Sequence, residues 1–389
     1  MARICVIRQG YFPLDARVRR EVYALADAGH EVDVICVRRP GEPRRERRGR
    51  IRVLRLPAPL KRTDGPLRYV AQYAAFALMA GAVAAVLHQR RRWDVVQVNT
   101  MPDALVFAAA VPRLQGARVV LDLHECMPEF FRVKFGVGPA HPAVRLVAAA
   151  EQASIRFADR VITCTEPMRE AFVARGAPAG KIAVVLNAAD EAVFDAGRYR
   201  PTARADGFAL ICHGAIERSY GHDTLVRAVA LARERIPDLR LEIYGDGTFR
   251  PELQRMAAGL GLDGCVQVRD GWAPIEQLVE AIAAADAGVV ALRRDAFRDL
   301  THANKMFDLV AMRTPAIVSR TRAVEAYFDD GCFAYFESGD ERGLADAILA
   351  LHDDPELGER LARRASAVAA PYRWQAQREV YRQVIACVC

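Results

Sequence analysis

The stretch Phe208-Ala209-Leu210-Ile211-Cys212-His213-Gly214-Ala215-Ile216-Glu217-Arg218-Ser219-Tyr220-Gly221-His222-Asp223 decides the fold. Its first five residues form an apolar run with the length of a buried strand. A loop bracketed by Gly214 and Gly221 follows, and apolar residues at helical spacing then predict a helix over 223–235. Downstream the same unit recurs. Strands are predicted over 239–244, 266–268, 287–291 and 316–318, and helices over 251–259, 275–284, 304–311, 324–328, 344–351 and 356–369. A last amphipathic helix starts near Trp374 and carries Val380, Tyr381, Val384 and Ile385. Upstream the alternation runs the same way. Strands are predicted over 3–7, 31–37, 51–56, 94–98, 118–123, 160–163 and 181–186. Helices are predicted over 15–28, 69–88, 104–114, 143–157 and 166–174. Strands alternating with helices imply right-handed crossovers and parallel sheets covered on both faces. Residues 187–207 interrupt the rhythm with Asp190, Glu191, Asp195, Gly197, Pro201 and Asp206. The reading is therefore α/β with two doubly wound domains, 1–190 and 208–370, joined by a linker at 191–207 and followed by a terminal helix at 371–389. In such folds ligands bind at the carboxyl ends of the strands.

A chain of 389 residues with 52% hydrophobic and 26% charged residues has room for two domains, and disorder, collagen or coiled coil do not describe it. The net charge of +7 is unevenly placed: residues 1–200 carry an excess of 12 positive charges and residues 201–389 a deficit of 5. Segment 38–68 alone holds 12 basic and 3 acidic residues, which reads either as a solvated Arg-rich loop or as a contact for an anionic lipid, phosphate or glycan. Nine cysteines without Cys-x-x-Cys or His/Cys clustering predict a reduced, cytoplasmic protein without a metal site. The N-terminus runs directly into a strand, so no signal peptide is expected. Tyr69 to His88 is apolar but rich in alanine, with Gln72 and Gly81, and is expected as a buried or interfacial helix rather than a span. Arg68 and Arg90-Arg91-Arg92 flank it, so peripheral contact at the inner membrane face is the alternative to a free cytoplasmic protein.

Three loop segments carry the chemistry. The glycines of the 213–223 loop allow close backbone approach, and the helix after it offers free N–H groups to a phosphate, with Arg218 as a cation. The plain alternative is a Gly-bearing turn. Tyr244-Gly245-Asp246-Gly247 is a weaker version of the same signal, and a tight turn explains it equally. In Asn304-Lys305-Met306-Phe307-Asp308, Asn304 is expected to cap a helix with Lys305 in its first turn. Asp308 lies one turn on, on the same face as Asn304. An amine beside a helix start suits phosphate, and a carboxylate beyond it suits the two hydroxyls of a ribose, so the pair describes a nucleotide. The alternative is an exposed capped helix with an ordinary ion pair.

These motifs, in this order, resemble the retaining glycosyltransferases of family 4. Further supports are the stretch from Tyr11-Phe12-Pro13-Leu14-Asp15 through Arg20-Glu21, Ala28-Gly29-His30, Leu121-Asp122-Leu123-His124-Glu125, Ala283 to Val290, and Pro315-Ala316-Ile317-Val318. The resemblance implies the GT-B fold: two Rossmann-like domains facing across a cleft, with the C-terminal helix crossing back to the first. It implies a nucleotide-diphosphate sugar as donor (a UDP-sugar favoured, a GDP-sugar the second choice) and transfer by front-face displacement with retention. His124 would touch the donor sugar, Asp308 the ribose, and Asn304 and Lys305 the diphosphate. The donor side would further include Gly214, Arg218, Tyr244, Gly245, Gly247 and Trp272, the last as a nucleobase wall or as core packing. Acceptor-side candidates are Gly10, Asp15, Arg17, Arg20 and Glu129, with Arg17 and Arg20 suited to an acceptor phosphate and Glu129 to an ordinary helix start. No cofactor, divalent metal or nucleic-acid partner is implied, and the acceptor is lipid-linked, a glycan or a small natural product. The chain departs from the family pattern at three places. The usual phosphate-loop arginine and lysine read as Ala215 and Tyr220. The usual first glutamate reads as Leu300, with Asp295 and Asp299 nearby. The second acid is Asp308, as in a branch with Asn-Lys-x-Phe-Asp. The missing cations favour a non-catalytic anion- or membrane-binding relative as the rival reading, and a nucleotide-sugar epimerase is a second rival.

Overall fold

The structure, a computed structural model, describes residues 1–58, 66–199 and 207–389. The chain divides into two units, Met1–Leu186 with Gln377–Cys389, and Asn187–Ala376. The residues expected as linker thus begin inside the second unit, while Pro201 and Asp206 lie outside the described residues.

In the first unit the strands are β1 (Arg3–Arg8), β2 (Glu31–Val37), β3 (Arg45–Arg48), β4 (Ile51–Leu56), β5 (Val95–Asn99), β6 (Arg118–Leu123), β7 (Arg160–Thr163) and β8 (Ile182–Val184). They form one sheet in the order β3-β4-β2-β1-β5-β6-β7-β8. Every pairing is parallel except β3 on β4. Ile4 to Ile7 are fully buried, as a central strand covered on both faces requires. Strand order reverses between β1 and β5, and a doubly wound sheet opens a crevice at such a point. The final helix Trp374–Ala386 supplies Tyr381, whose hydroxyl donates to Gln97 Oε1 at 2.7 Å, and Gln377, whose Oε1 accepts from Leu186 N at 2.8 Å.

Three expectations are corrected here. Part of the Arg-rich segment is an edge strand, β3, rather than a loop. It contains only Arg and Glu, so no apolar alternation marks it, and its charge is what keeps an edge from pairing further. Residues 59–65 and the Arg68 side chain of that segment lie outside the described residues. The helix expected over 104–114 is a 3-10 turn, Asp103–Ala109, running into a short α-helix, Ala110–Leu114. A further helix, Met127–Phe135, is closed by Gly136 at φ 64°.

The second unit carries β9 (Ala209–His213), β10 (Arg240–Tyr244), β11 (Val266–Val268), β12 (Ala287–Val290), β13 (Ala316–Ser319) and β14 (Ala334–Phe336). The sheet order is β11-β10-β9-β12-β13-β14, all parallel. Order reverses between β9 and β12. Leu210, Leu241, Ile243, Val289 and Ile317 are buried under helices such as His222–Ala232 and Glu341–Asp353. The nine cysteines are free, with only Cys387 and Cys389 exposed.

Candidate functional site

Each unit concentrates polar chemistry at the carboxyl ends of its strands, next to the point where strand order reverses. In the second unit, three loops are laced by backbone hydrogen bonds. Gly214 N donates to Tyr244 O at 2.9 Å and Ile216 N to Asp246 O at 3.0 Å, which joins the loops after β9 and β10. Arg293 N donates to Ser219 O at 3.0 Å, which joins the loop after β12 to the same segment. The glycines make this lacing feasible. A β-carbon on Gly245 would stand 1.8 Å from Gly214 O, and one on Gly247 2.2 Å from Ile216 O. Gly245 and Gly247, expected on the donor side, are thus placed in backbone-on-backbone packing between these loops.

The helix Asn304–Ala311 leaves this region with Met306, Phe307, Leu309 and Val310 buried. Gly288 on β12 lets Leu309 approach so closely that a β-carbon there would sit 2.3 Å from its side chain. That packing fixes which residues face the loops. Lys305 is 5% exposed. Its Nζ lies 4.8 Å from the centre of the Tyr220 ring and 4.0 Å from Cys212 Sγ, and it forms no ion pair with a carboxylate among the described residues. Gly214, at φ 109°, runs beside it, with its β-position 3.8 Å from Lys305 Cδ. Asp308 Oδ2 is 3.2 Å from His213 Nε2 at the end of β9. The helix begins without a side-chain cap. Ala303 occupies the capping position and Asn304 is the first helical, exposed residue, so the expected Asn304 cap does not form. The helix His222–Ala232 also starts without one, on Gly221 at φ 65°. Two helix starts thus keep backbone N–H groups free of side-chain acceptors, as an anion requires.

Other donor-side expectations are placed elsewhere. Arg218 is exposed, ion-paired to Glu252 and stacked 4.8 Å from the Phe249 ring, so its charge is already balanced at the surface. Tyr244 turns its hydroxyl to Glu242 at 2.8 Å and contributes its carbonyl, not its ring, to the loops. Burial and that carboxylate push its hydroxyl up to about 12. Trp272 is 69% exposed, which removes the core-packing alternative. Leu300 is buried. Asp295 caps its own turn through Phe297 N and Arg298 N, and Asp299 pairs with Arg294, so neither carboxylate replaces the missing glutamate.

Arg298 is the residue that sequence reasoning missed. Its guanidinium lies 4.5 Å from the centre of the Tyr220 ring, with Nη2 3.5 Å from Ser219 Oγ. Its Nε is buried without a hydrogen-bond partner, and it makes no ion pair among the described residues. Tyr220 therefore carries two cations, Lys305 and Arg298, beside two open helix starts. Burial and the nearby Lys305 push His222 down to about 3, so it adds no further charge.

In the first unit the corresponding cluster is a hydrogen-bonded network. Arg17 binds Asp122 through Nε at 2.9 Å and Nη2 at 2.8 Å, and Val185 O through Nη1 at 3.0 Å. Asn99 Nδ2 donates to Asp122 Oδ2 at 2.7 Å and to Glu21 Oε2 at 2.8 Å, and Gln97 Nε2 also reaches Glu21 Oε2 at 2.8 Å. His124 Nε2 is 2.8 Å from Asp122 Oδ2. Burial works to raise the Asp122 carboxyl, yet Arg17 and His124 hold it well below the usual range. Burial and the Asp122 charge push Glu21 up to about 8. Burial lowers His124 against the pull of Asp122, which leaves a neutral imidazole whose Nε2–H donates to Asp122 and whose Nδ1 is an acceptor.

This network revises the acceptor-side assignments. Arg17 is 7% exposed and fully engaged, so it positions Asp122 and His124 rather than binding an acceptor phosphate. Arg20, half-buried, follows it on the same helix. Glu129 Oε1 accepts from Arg175 at 2.8 Å, and Arg175 also grips the buried Glu151, so Glu129 belongs to a structural ion-pair cluster. Asp15 caps the helix Ala16–Asp27 through Val18 N and pairs with Arg8 at 3.0 Å. Although burial opposes it, Arg8 and the Val18 N–H hold Asp15 below the usual carboxylate range. Gly10 packs on Arg8, with its β-position 3.2 Å from Nε.

Two α/β units with site residues at both switch points define the GT-B class of folds. Solved structures agree. The chain superposes on sucrose-phosphate synthase from Thermosynechococcus elongatus with a TM-score of 0.77 at 21% identity, and on Anabaena HepE in complex with UDP-glucose with 0.74 at 16%, over 100% of both chains in each case. Residues 14–188 match the model of the glycosyl transferase 4-like domain and residues 207–354 that of glycosyl transferases group 1. The chain belongs to the glycosyltransferases that these two domains define. Among curated relatives it is 28% identical to D-inositol 3-phosphate glycosyltransferase of Streptomyces avermitilis over 257 residues, 60% of this chain and 52% of that protein. It thus spans about half the length of the curated relatives it matches.

Proposed function

We propose that the protein is a retaining glycosyltransferase that moves a sugar from a UDP-sugar, with a GDP-sugar as second choice, to an acceptor hydroxyl. The observation that carries this reading is Lys305. It is a buried lysine with no carboxylate partner, at the uncapped start of a helix whose next turn presents Asp308. A diphosphate suits the lysine and the N–H groups, and a ribose diol suits the carboxylate. Arg298 adds a second cation on the same tyrosine, and the exposed Trp272 is the candidate nucleobase wall. The solved HepE complex holds UDP-glucose on a fold of the same class, which supports the choice of donor.

In front-face displacement the acceptor oxygen bonds to the anomeric carbon as the carbon–phosphate oxygen bond breaks. The acceptor proton passes to the leaving phosphate oxygen. The chain's own task is to stabilise the charge left on the diphosphate, through Lys305, Arg298 and the helix N–H groups, and to hold the sugar. His124, neutral and oriented by Asp122, is the proposed contact to the sugar. No divalent metal is required in this scheme, because the two cations and the helix starts supply the positive charge. The Ala215 and Tyr220 substitutions, which argue for a non-catalytic relative, lose that force once Arg298 lies on the Tyr220 ring. The acceptor is proposed as lipid-linked, and contact of the basic 38–68 segment with an anionic membrane surface belongs to the same reading.

The test is calorimetric titration with UDP, GDP, ADP and TDP and their glucose conjugates, with and without magnesium. Selective binding of one base, unchanged by metal, is expected. Absence of binding across the panel overturns the reading. His124→Ala should leave nucleotide affinity within about two-fold while lowering transfer or donor hydrolysis at least ~10-fold, the equivalent of ~1.4 kcal/mol.

A further inference from the structure

We infer that the helix Val70–Arg91 is a membrane-docking surface, lying flat in the headgroup region of an anionic bilayer with its arginine end on lipid phosphates. This deepens the membrane contact proposed above, because it moves the anchoring element from the basic segment to the helix beside it.

The helix has two faces with different fates. Phe76, Ala80, Ala84 and His88 recur every four residues and are buried. This face packs on Asp103–Ala109, Ala110–Leu114 and β4, closely enough that a β-carbon on Gly81 would lie 3.5 Å from Ala108 Cα. The opposite ridge is Val70, Ala74, Leu78, Ala82 and Val86, again every four residues, and all are exposed. Val70 is 63% exposed, Leu78 76% and Val86 60%. No charged residue occurs from Val70 to Gln89. A helix on a water-facing surface carries its polar residues on this ridge, and here the ridge is apolar for about 24 Å. On the segment packed against the helix, Phe107, Val111 and the 87% exposed Leu114 are exposed as well. An exposed apolar ridge of this length marks an interaction site. Since the other ridge is pinned to the sheet, the helix is long and apolar enough to span yet is held against its own unit, which fits lying in an interface rather than crossing it.

Charge identifies the occupant. The helix ends in Arg90 and Arg91, and Arg92 follows it directly. Leu87, Arg90 and Arg91 line a cavity of about 700 Å³ together with Arg45 and Arg47 from β3. Its acids are already engaged: Glu46 pairs with Arg48 and Arg55, and Asp33 accepts from Trp93 Nε1 at 2.7 Å. Arg45, Arg47 and Arg90 have no carboxylate partner among the described residues. Arg91 and Arg52, also in the lining, pair with Asp33 and Glu31. An apolar ridge that ends in a cavity with three unpaired guanidinium groups matches acyl chains beneath anionic headgroups, whereas a second copy of this chain would bring the same positive charge to the contact.

Flotation of the full-length protein with phosphatidylcholine vesicles, with and without phosphatidylglycerol, tests the inference. The wild type is expected to float with the anionic vesicles, and less so in high salt. Leu78→Glu with Val86→Glu, on exposed positions, should reduce the bound fraction at least ~10-fold at equal melting temperature. Arg45→Glu with Arg90→Glu should remove the preference for phosphatidylglycerol. Nucleotide binding, measured on the same samples, should be unchanged in both variants, which separates this inference from the transferase reading. A wild type that does not float, or a Leu78→Glu/Val86→Glu variant that floats equally well, overturns it. So does a wild-type dimer in light scattering that the same variant makes monomeric without any lipid binding.

Discussion

Lys305→Met asks whether the buried lysine serves the fold or a ligand, because the two roles predict opposite signs. In the free protein the ammonium is almost wholly buried and has no carboxylate partner, only a tyrosine face at 4.8 Å and a thiol at 4.0 Å. Burying an ion without a counter-charge costs several kcal/mol, and a cation–π contact returns about 1–2 of them. Methionine has a similar length and no charge, so the substitution should stabilise the free protein by about 1–2 kcal/mol. For a unit the size of Asn187–Ala376, that is a rise in melting temperature of about 2–8 °C. The nucleotide loses a charge-assisted hydrogen bond worth about 1.5–3 kcal/mol, so UDP affinity should fall about 10- to 150-fold. Differential scanning calorimetry and titration calorimetry on one preparation read both quantities. A lower melting temperature with unchanged UDP affinity would show that Lys305 holds the fold, and would refute the reasoning.

Arg298→Ala should weaken UDP binding about 5- to 10-fold with little change in melting temperature, since the guanidinium is only half-buried, and titration calorimetry checks it. Glu21→Gln concerns pH. Its folded value of about 8 lies above the ordinary 4.5, so the protonated carboxyl contributes stability that is complete below about 4.5 and lost as pH rises through about 8. The wild type should therefore lose up to about 1.4 kcal/mol per pH unit between about pH 5 and 8 from this group. The glutamine variant keeps an acceptor for Gln97 and Asn99 and should show a flatter profile in melting temperature against pH; parallel profiles would refute the assignment. Gly245→Ala should cost about 3 kcal/mol or more, because the new carbon meets Gly214 O at 1.8 Å from a backbone at φ 147°. Gly259→Ala, at a helix position with open space, should be neutral or slightly stabilising in the same thermal assay.

The alternation of buried strands and amphipathic helices was legible because each parallel strand is an unbroken apolar run and each helix keeps one buried stripe. The helix that carries Lys305 and Asp308 was legible because local spacing sets its faces, although its cap was not: Ala303, rather than Asn304, holds that position. Other features depend on contacts distant in sequence. Arg17 offers the same cation to a reader whether it faces a ligand or Asp122, and only the fold brings those two side chains, 105 positions apart, to 2.8 Å. Arg298 has no motif at all. It reaches the site because Arg293 N is tied to Ser219 O, which draws the loop after β12 over Tyr220. The strand Arg45–Arg48 was illegible for the opposite reason: an edge that buries little needs no apolar pattern.

The substitutions at Ala215 and Tyr220 then take on a different meaning. A loop that loses an arginine and a lysine has lost two charges only if nothing else enters the space. Tyrosine in place of the lysine presents a π face, and that face is where the Lys305 ammonium and the Arg298 guanidinium stand, 4.8 and 4.5 Å from its centre. The ring attracts each cation while the two repel one another, so it can hold both near the helix starts without supplying the counter-charge that would quench them. The positive charge at the carboxyl end of the second sheet is thus carried by a helix and a loop other than the one that follows β9.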